Sequence, residues 1–418
     1  FLILYSIVGV ITLLIGTGFY FNVDVLFDRA MTLEDLSKVR TMMLLMTVNL
    51  AFTFPMSVFG SIIVAYEDFV FQKLVNITRI ILNPLVMIAM LMLGYRAIGM
   101  TVITTLFNVV TLLVNCWYCF HKIHIRIYFG HFKWGFLKEV SIYSFWIFLN
   151  AIMDRIYWSS GQFILGMYKG AVAVAVYAVA IQLQGIYMSF STAISGVFLP
   201  KVTAMVAKEN NEKAISDLFI RMGRIQYAIM AFILTGFILF GKVFIYFWAG
   251  SDYDEAYYIA LLFFIPLTNP LIQNLGIIIL QARNQMRFRC VLYVVIAFVS
   301  LGISIPLARL YGGIGCALGT VFALVVGQII AMNIYYHRRI HIDIVRFWKE
   351  IFRMSLVPIL LGGVGYCFLN MITLTNAWEL GLAILLFSLI YVPLFWYMGL
   401  NGYEQSLFRE PLKRLLKI

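Results

Sequence analysis

The chain has 418 residues, of which 63% are hydrophobic and only 12% charged, with a mean hydropathy of +0.94. Soluble domains carry about 25% charged residues, so a soluble enzyme or a disordered chain is excluded. The formal net charge of +12 is gathered between apolar stretches, which orientation in a membrane explains without any nucleic-acid partner.

A spanning helix needs about 20 mostly apolar residues to cross the hydrocarbon layer. About twelve stretches qualify: 1–23, 41–66, 70–94, 97–119, 140–166, 169–199, 222–249, 256–281, 288–309, 312–335, 352–374 and 377–400. They are continuous rather than alternating, so they predict helices and not barrel strands. The chain opens at Phe1 inside an apolar run with no charged leader, and the expectation is that its true N-terminus lies upstream. Outside the spans, Lys122, Arg126, Lys133 and Lys138 make one basic loop. Lys201, Lys208, Lys213, Arg221 and Arg224 make another, and Arg338, Arg339, Arg346, Lys349 and Arg353 a third. The acidic cluster Asp252, Asp254 and Glu255 falls on the opposite side. By the positive-inside rule both termini are cytoplasmic.

Residues 60–125 and 276–341 repeat one another at an offset of 216: Gly60 falls on Gly276, Asp68 on Asn284, Lys73 on Arg289 and Ile98-Gly99 on Ile314-Gly315. A long internal repeat in a membrane chain marks a transporter of two similar bundles with a site between them. The expected organisation is therefore an incomplete N-terminal helical lobe at 1–120, a basic linker at 121–138, a C-terminal helical lobe at 139–337, and an appended helix pair with a tail at 338–418. Six helices lie within the offset, an even number, so the copies share one orientation and imply a pseudo-two-fold axis along the membrane normal. The first lobe shows four helices where the second has six, so the expectation is that one hairpin is missing from it or never existed.

Asp154-Arg155 is the sharpest local feature. Asp154 lies about 14 residues into its span, roughly 21 Å at 1.5 Å per residue, near mid-bilayer. A charge there costs at least about 2.5–3.5 kcal/mol and usually serves a site. Asn150, Asp154, Tyr157 and Gly161 share one helix face, and Ala151, Arg155, Trp158 and Gln162 the next, so the expected cavity lining is Asn150, Asp154, Arg155 and Gln162. The following helix adds Tyr177, Gln182 and Gln184, and Asn269 lies between Pro266 and Pro270 in a span expected to break or flex. The matched inner turns give candidate gating residues Asp68, Lys73, Arg283 and Arg289. Interhelical hydrogen bonding or plain packing is the competing explanation for each polar residue.

No Walker P-loop and no HExxH occur, and His121, His124, His131, His337 and His341 all fall in loops. Cys116-Trp-Tyr-Cys119 lacks the context of a redox or zinc motif. No catalytic residue and no metal site is expected.

The stretch Asp154-Arg155…Ile164-Leu165-Gly166…Gly170…Val176-Tyr177…Ala180, the turn Gln281-Ala282-Arg283-Asn284-Gln285 and the helix layout together resemble the multidrug/oligosaccharidyl-lipid/polysaccharide exporter superfamily, in its polysaccharide flippase branch. The resemblance covers essentially the whole chain. It implies two six-helix lobes and a final pair, the first hairpin being absent here. It also implies a non-enzymatic flippase in the bacterial inner membrane, moving undecaprenyl-diphosphate-linked oligosaccharide by alternating access. Arg155 would then hold the diphosphate, and Asp154 would orient it or carry a coupling cation, H+ or Na+; no other cofactor is expected. Expected partners are the lipid-linked oligosaccharide, membrane lipids and other polysaccharide-assembly proteins. A multidrug/cation antiporter of the same fold and a lipid II flippase are the alternatives. A polytopic glycosyltransferase fits less well, because the outer loops are short.

Overall fold

A computed structural model describes residues 2–27, 32–66, 68–125, 135, 152–153, 155–208, 212–283, 285–369, 374, 376–406 and 409. Among these, ten helices are long and apolar enough to cross a membrane. The chain divides into two compact units, Phe1–Leu137 and Lys138–Ile418, with the appended pair inside the second.

The first unit holds α1 (Leu2–Phe27), α2 (Leu33–Ala65), α3 (Phe69–Met92) and α4 (Ala97–His121). Helix α2 starts well before its apolar run because Thr32 caps it, its hydroxyl accepting from the Asp35 amide at 3.2 Å. Residues 33–40, which precede the expected span 41–66, are therefore helix. α1 lies so close to α2 that a Cβ on Gly9 would meet the Ala51 carbonyl oxygen at 2.6 Å. Small residues give helices this approach where lipid removes any apolar drive between them. Asn108 of α4 donates to Asn49 (2.9 Å) and Thr53 (2.7 Å) of α2, an interhelical polar tie.

The second unit contains α5 (residues 155–168), α6 (Ala171–Lys208), α7 (Glu212–Ala249), α8 (Asp254–Ile272), α9 (Leu275–Ala282) and α10 (Arg287–Leu324). A π-helical segment, Val325–Ala331, follows, then α11 (Met332–Arg338), α12 (Ile344–Met354), α13 (Leu356–Leu369) and α14 (Ala377–Met398). α10 breaks at Gly312, whose φ of 60° and ψ of −133° suit only glycine. Its two halves pack on each other, and a Cβ on Gly319 would come within 2.7 Å of the Ser304 Cα. The expected span 256–281 is not one helix but two, because α8 stops at Gln273-Asn274 just after Pro270. The expected loop 337–353 contains α12. Its charges interrupt the apolar run, yet its buried residues Ile344, Phe347, Ile351 and Met354 keep a helical period.

Local packing recurs at close to the sequence offset. In the first unit Phe71 stacks on Tyr118, centroids 3.6 Å apart, and in the second Phe288 stacks on Tyr335 at 4.1 Å. At the matching turns, a Cβ on Gly99 would strike the Cβ of Tyr95 at 2.6 Å, and one on Gly315 that of Tyr311 at 3.0 Å.

α7 is the post of the second unit. It packs on α6 and α8 on one side and on α12, α13 and α14 on the other. Arg224 of α7 ties the end of the chain to it. Its Nε reaches Glu404 at 2.5 Å and its Nη2 at 3.0 Å, its Nη1 reaches Glu350 of α12 at 2.6 Å, and its Nη2 also donates to the Gly399 carbonyl at 3.2 Å.

Candidate functional site

The break between α8 and α9 is stitched by side chains. A proline cannot donate its backbone hydrogen bond and clashes with the preceding turn, so Pro266 and Pro270 weaken the end of α8. The Asn274 amide closes a tight turn on the Leu271 carbonyl at 3.3 Å, and Ser191 of α6 donates to that same carbonyl at 2.7 Å. Asn274 donates to Ser195 at 2.9 Å, and Gln226 of α7 to the Ser191 carbonyl at 3.3 Å. Gln273 points the other way and donates to Asn333 Oδ1 at 2.8 Å, which also accepts from the Trp348 indole at 3.1 Å.

Across from this break runs the π-helical segment. Gly327 within it sits against the Ile296 side chain, and Gln328 faces the space opposite α8. π-bulges collect at functional sites, and irregular backbone at membrane depth persists only where protein or a wet cavity surrounds it. Between the two irregular segments lies a cavity of about 200 Å³. Its apolar walls include Leu267, Leu271, Ile277 and Met332, and its polar groups are Thr192, Gln273, Asn274, Gln328, Arg289 and Tyr293. Tyr157 and Trp158 of α5 close one side; Tyr157 is held in place by donating to the Thr320 carbonyl at 2.7 Å. Arg289 is positioned over the Tyr293 ring, 4.5 Å from its centroid, and donates to its hydroxyl at 3.0 Å. One guanidinium, three amides and four aromatic rings (Tyr157, Tyr293, Tyr336 and the Trp158 indole) form a site suited to an anionic, hydroxyl-rich group: the cation takes the charge, the amides take hydroxyls, and the rings take the faces of a sugar.

Tyr157 and Trp158, on the two helix faces read from the sequence, border the cavity, but among the described residues the polar ones expected beside them do not. Asn150 and Asp154 lie outside the described residues. Arg155 and Gln182 are exposed and Gln162 is half-buried. Tyr177 is fully buried, its hydroxyl packed where a Gly161 Cβ would stand and its ring edge-on to Phe263. Gln184 is buried and donates to the Met188 sulfur at 2.7 Å. Asn269 keeps a buried Oδ1 with no hydrogen bond, and it does not line the cavity. Of the expected gating set, Asp68 caps α3 and accepts from the Tyr118 hydroxyl, Lys73 is exposed, and Arg283 donates to the Ile340 carbonyl at 3.4 Å. These contacts tie each turn to the end of a neighbouring helix. Arg289, read as a gate, is the cavity's cation. Gln273 escaped the sequence reading, although a polar pair three residues past a proline in an apolar span was its signal.

A helical membrane chain with a broken helix and a π-segment around a polar cavity has the build of a transporter. The family model for polysaccharide biosynthesis proteins matches residues 37–258, more than half of the chain, and the chain belongs to that family. No curated protein matches it. Its fold is that of a lipid II flippase, MurJ, solved in an inward closed conformation, with a TM-score of 0.70 and 17% identity over 94% of this chain and 83% of that one.

Proposed function

We propose that the protein flips an undecaprenyl-diphosphate-linked oligosaccharide from the cytoplasmic to the outer leaflet of the bacterial inner membrane, by alternating access and without catalysis. The observation that supports this most directly is the cavity around Arg289. It offers a cation for phosphate beside amides and aromatic rings for sugar, in a chain of the polysaccharide biosynthesis family. Arg155 stands one helical turn before Trp158 and Gln162 one turn after it, so by register they share its face. Both are proposed to extend the headgroup path, with Asp154 as the carrier of a coupling cation.

A second reading, a flippase for lipid II, is favoured by the fold likeness. The two readings differ in the headgroup and not in the mechanism. Deleting the protein in its native cell and identifying the lipid-linked glycan that accumulates on the inner leaflet separates them. An accumulated polysaccharide repeat unit supports the first reading, and accumulated lipid II the second. Arg289→Gln should insert normally yet fail to restore export. Full export by that variant would remove the cavity from the mechanism.

A further inference from the structure

Helix α12 has two unlike faces. Ile344, Phe347, Ile351 and Met354 are buried, and the helix packs on α7. Its outer face mixes cations with large apolar groups: Val345, Arg346, Lys349, Phe352 and Arg353 are all exposed, Phe352 by 78%. Asp343 caps the helix, accepting from the Arg346 amide at 2.9 Å. Arg346 is engaged by Asp217 at 2.7 Å. Lys349 and Arg353 have no acidic partner among the described residues. After a break at Ser355, α13 continues the same surface with exposed Leu356, Ile359 and Leu360. Trp348, Lys349, Phe352, Arg353 and Ser355 border one open groove at this junction.

An exposed phenylalanine flanked by a lysine and an arginine suits the depth at which headgroups meet acyl chains. We propose that the groove at residues 348–355 seats an anionic phospholipid. Lys349 and Arg353 take its phosphodiester, and its acyl chains run along Phe352, Leu356 and Ile359. Charge complementarity selects the occupant: the cations want an anionic headgroup, and the apolar rim that continues down α13 wants attached chains. The groove shares no lining residue with the Arg289 cavity, and the proposal does not depend on what that cavity carries.

The test uses the full chain in detergent, with phosphatidylglycerol or phosphatidylcholine titrated in and bound lipid counted by native mass spectrometry. Phosphatidylglycerol should be retained in preference. Lys349→Gln/Arg353→Gln should weaken that retention about twenty-five-fold, at roughly fivefold per basic residue lost near anionic lipid. Phe352→Ser should weaken it with the charge unchanged, and Lys169→Gln, at an exposed turn, should leave it as it was. Equal retention of the two lipids, or undiminished retention by the double variant, overturns the proposal. Displacement of phosphatidylglycerol by an equimolar polyprenyl diphosphate also overturns it, because the groove would then belong to the transported substrate.

Discussion

Replacing Arg224 with methionine removes the cation that joins two carboxylates, the fully buried Glu404 and the partly buried Glu350. Glu404 is fully buried and Arg224 is 6% exposed. Without the guanidinium, Glu404 loses both of its contacts to it and keeps the Asn401 amide at 2.9 Å. An uncompensated buried carboxylate of this kind costs about 3–5 kcal/mol. Glu404→Gln alone leaves Arg224 paired with Glu350 and the Gly399 carbonyl, so its cost should be smaller, about 1–3 kcal/mol. The double variant should cost less than the two singles together, by roughly 1–3 kcal/mol, since the charge that Arg224→Met strands is gone. Denaturant titration of the purified protein, followed by protease resistance, measures all three. An Arg224→Met protein within about 0.5 kcal/mol of wild type, or a strictly additive double variant, would refute the clasp as a source of stability.

Gly319→Leu should destabilise by about 1–3 kcal/mol, because its Cβ already meets the Ser304 backbone; Gly185→Leu, with nothing within 4 Å, should not, and equal losses in the same titration would contradict the close helix approach. Gly312→Ala should cost about 1–2 kcal/mol from its positive φ, and an unchanged midpoint would show that the bend is made elsewhere. Gln328→Leu should leave stability alone and lower export roughly tenfold, the worth of about one good hydrogen bond; export at the wild-type level would take the π-segment out of the site. Asp154→Asn should abolish any dependence of transport on an ion gradient, and gradient-driven transport by that variant would exclude Asp154 as the coupling residue.

Much of this architecture was legible in the sequence because a lipid solvent imposes long apolar runs and helix-only spans. One local feature recurs where the sequence repeats: the same glycine-tyrosine contact stands at Gly99 and at Gly315. Helix ends were read less well. Thr32 starts α2 within a charged stretch, and α12 hides a helical period beneath basic residues, since charge marks the edge of the membrane and not the end of a helix. The cavity was the least legible part. Asp154-Arg155 drew attention as charges in an apolar span, whereas the cavity is made by backbone irregularity at Gln273-Asn274 and Val325–Ala331. Prolines hinted at the first irregularity. The π-segment has no such signature, because its glycine and glutamine also fit an ordinary helix. Tyr177 and Gln184 looked alike as polar residues in lipid, and only packing shows that both face the interior of the unit.

The most direct trial of the account uses proteoliposomes loaded with a polyprenyl-diphosphate oligosaccharide and an impermeant glycosidase added outside. With wild-type protein, the fraction of glycan cleaved should rise over time from about half towards completion, and with Arg289→Gln it should stay at the value seen in empty liposomes. Cleavage that stops at half with the wild type, or climbs equally with Arg289→Gln, would contradict it.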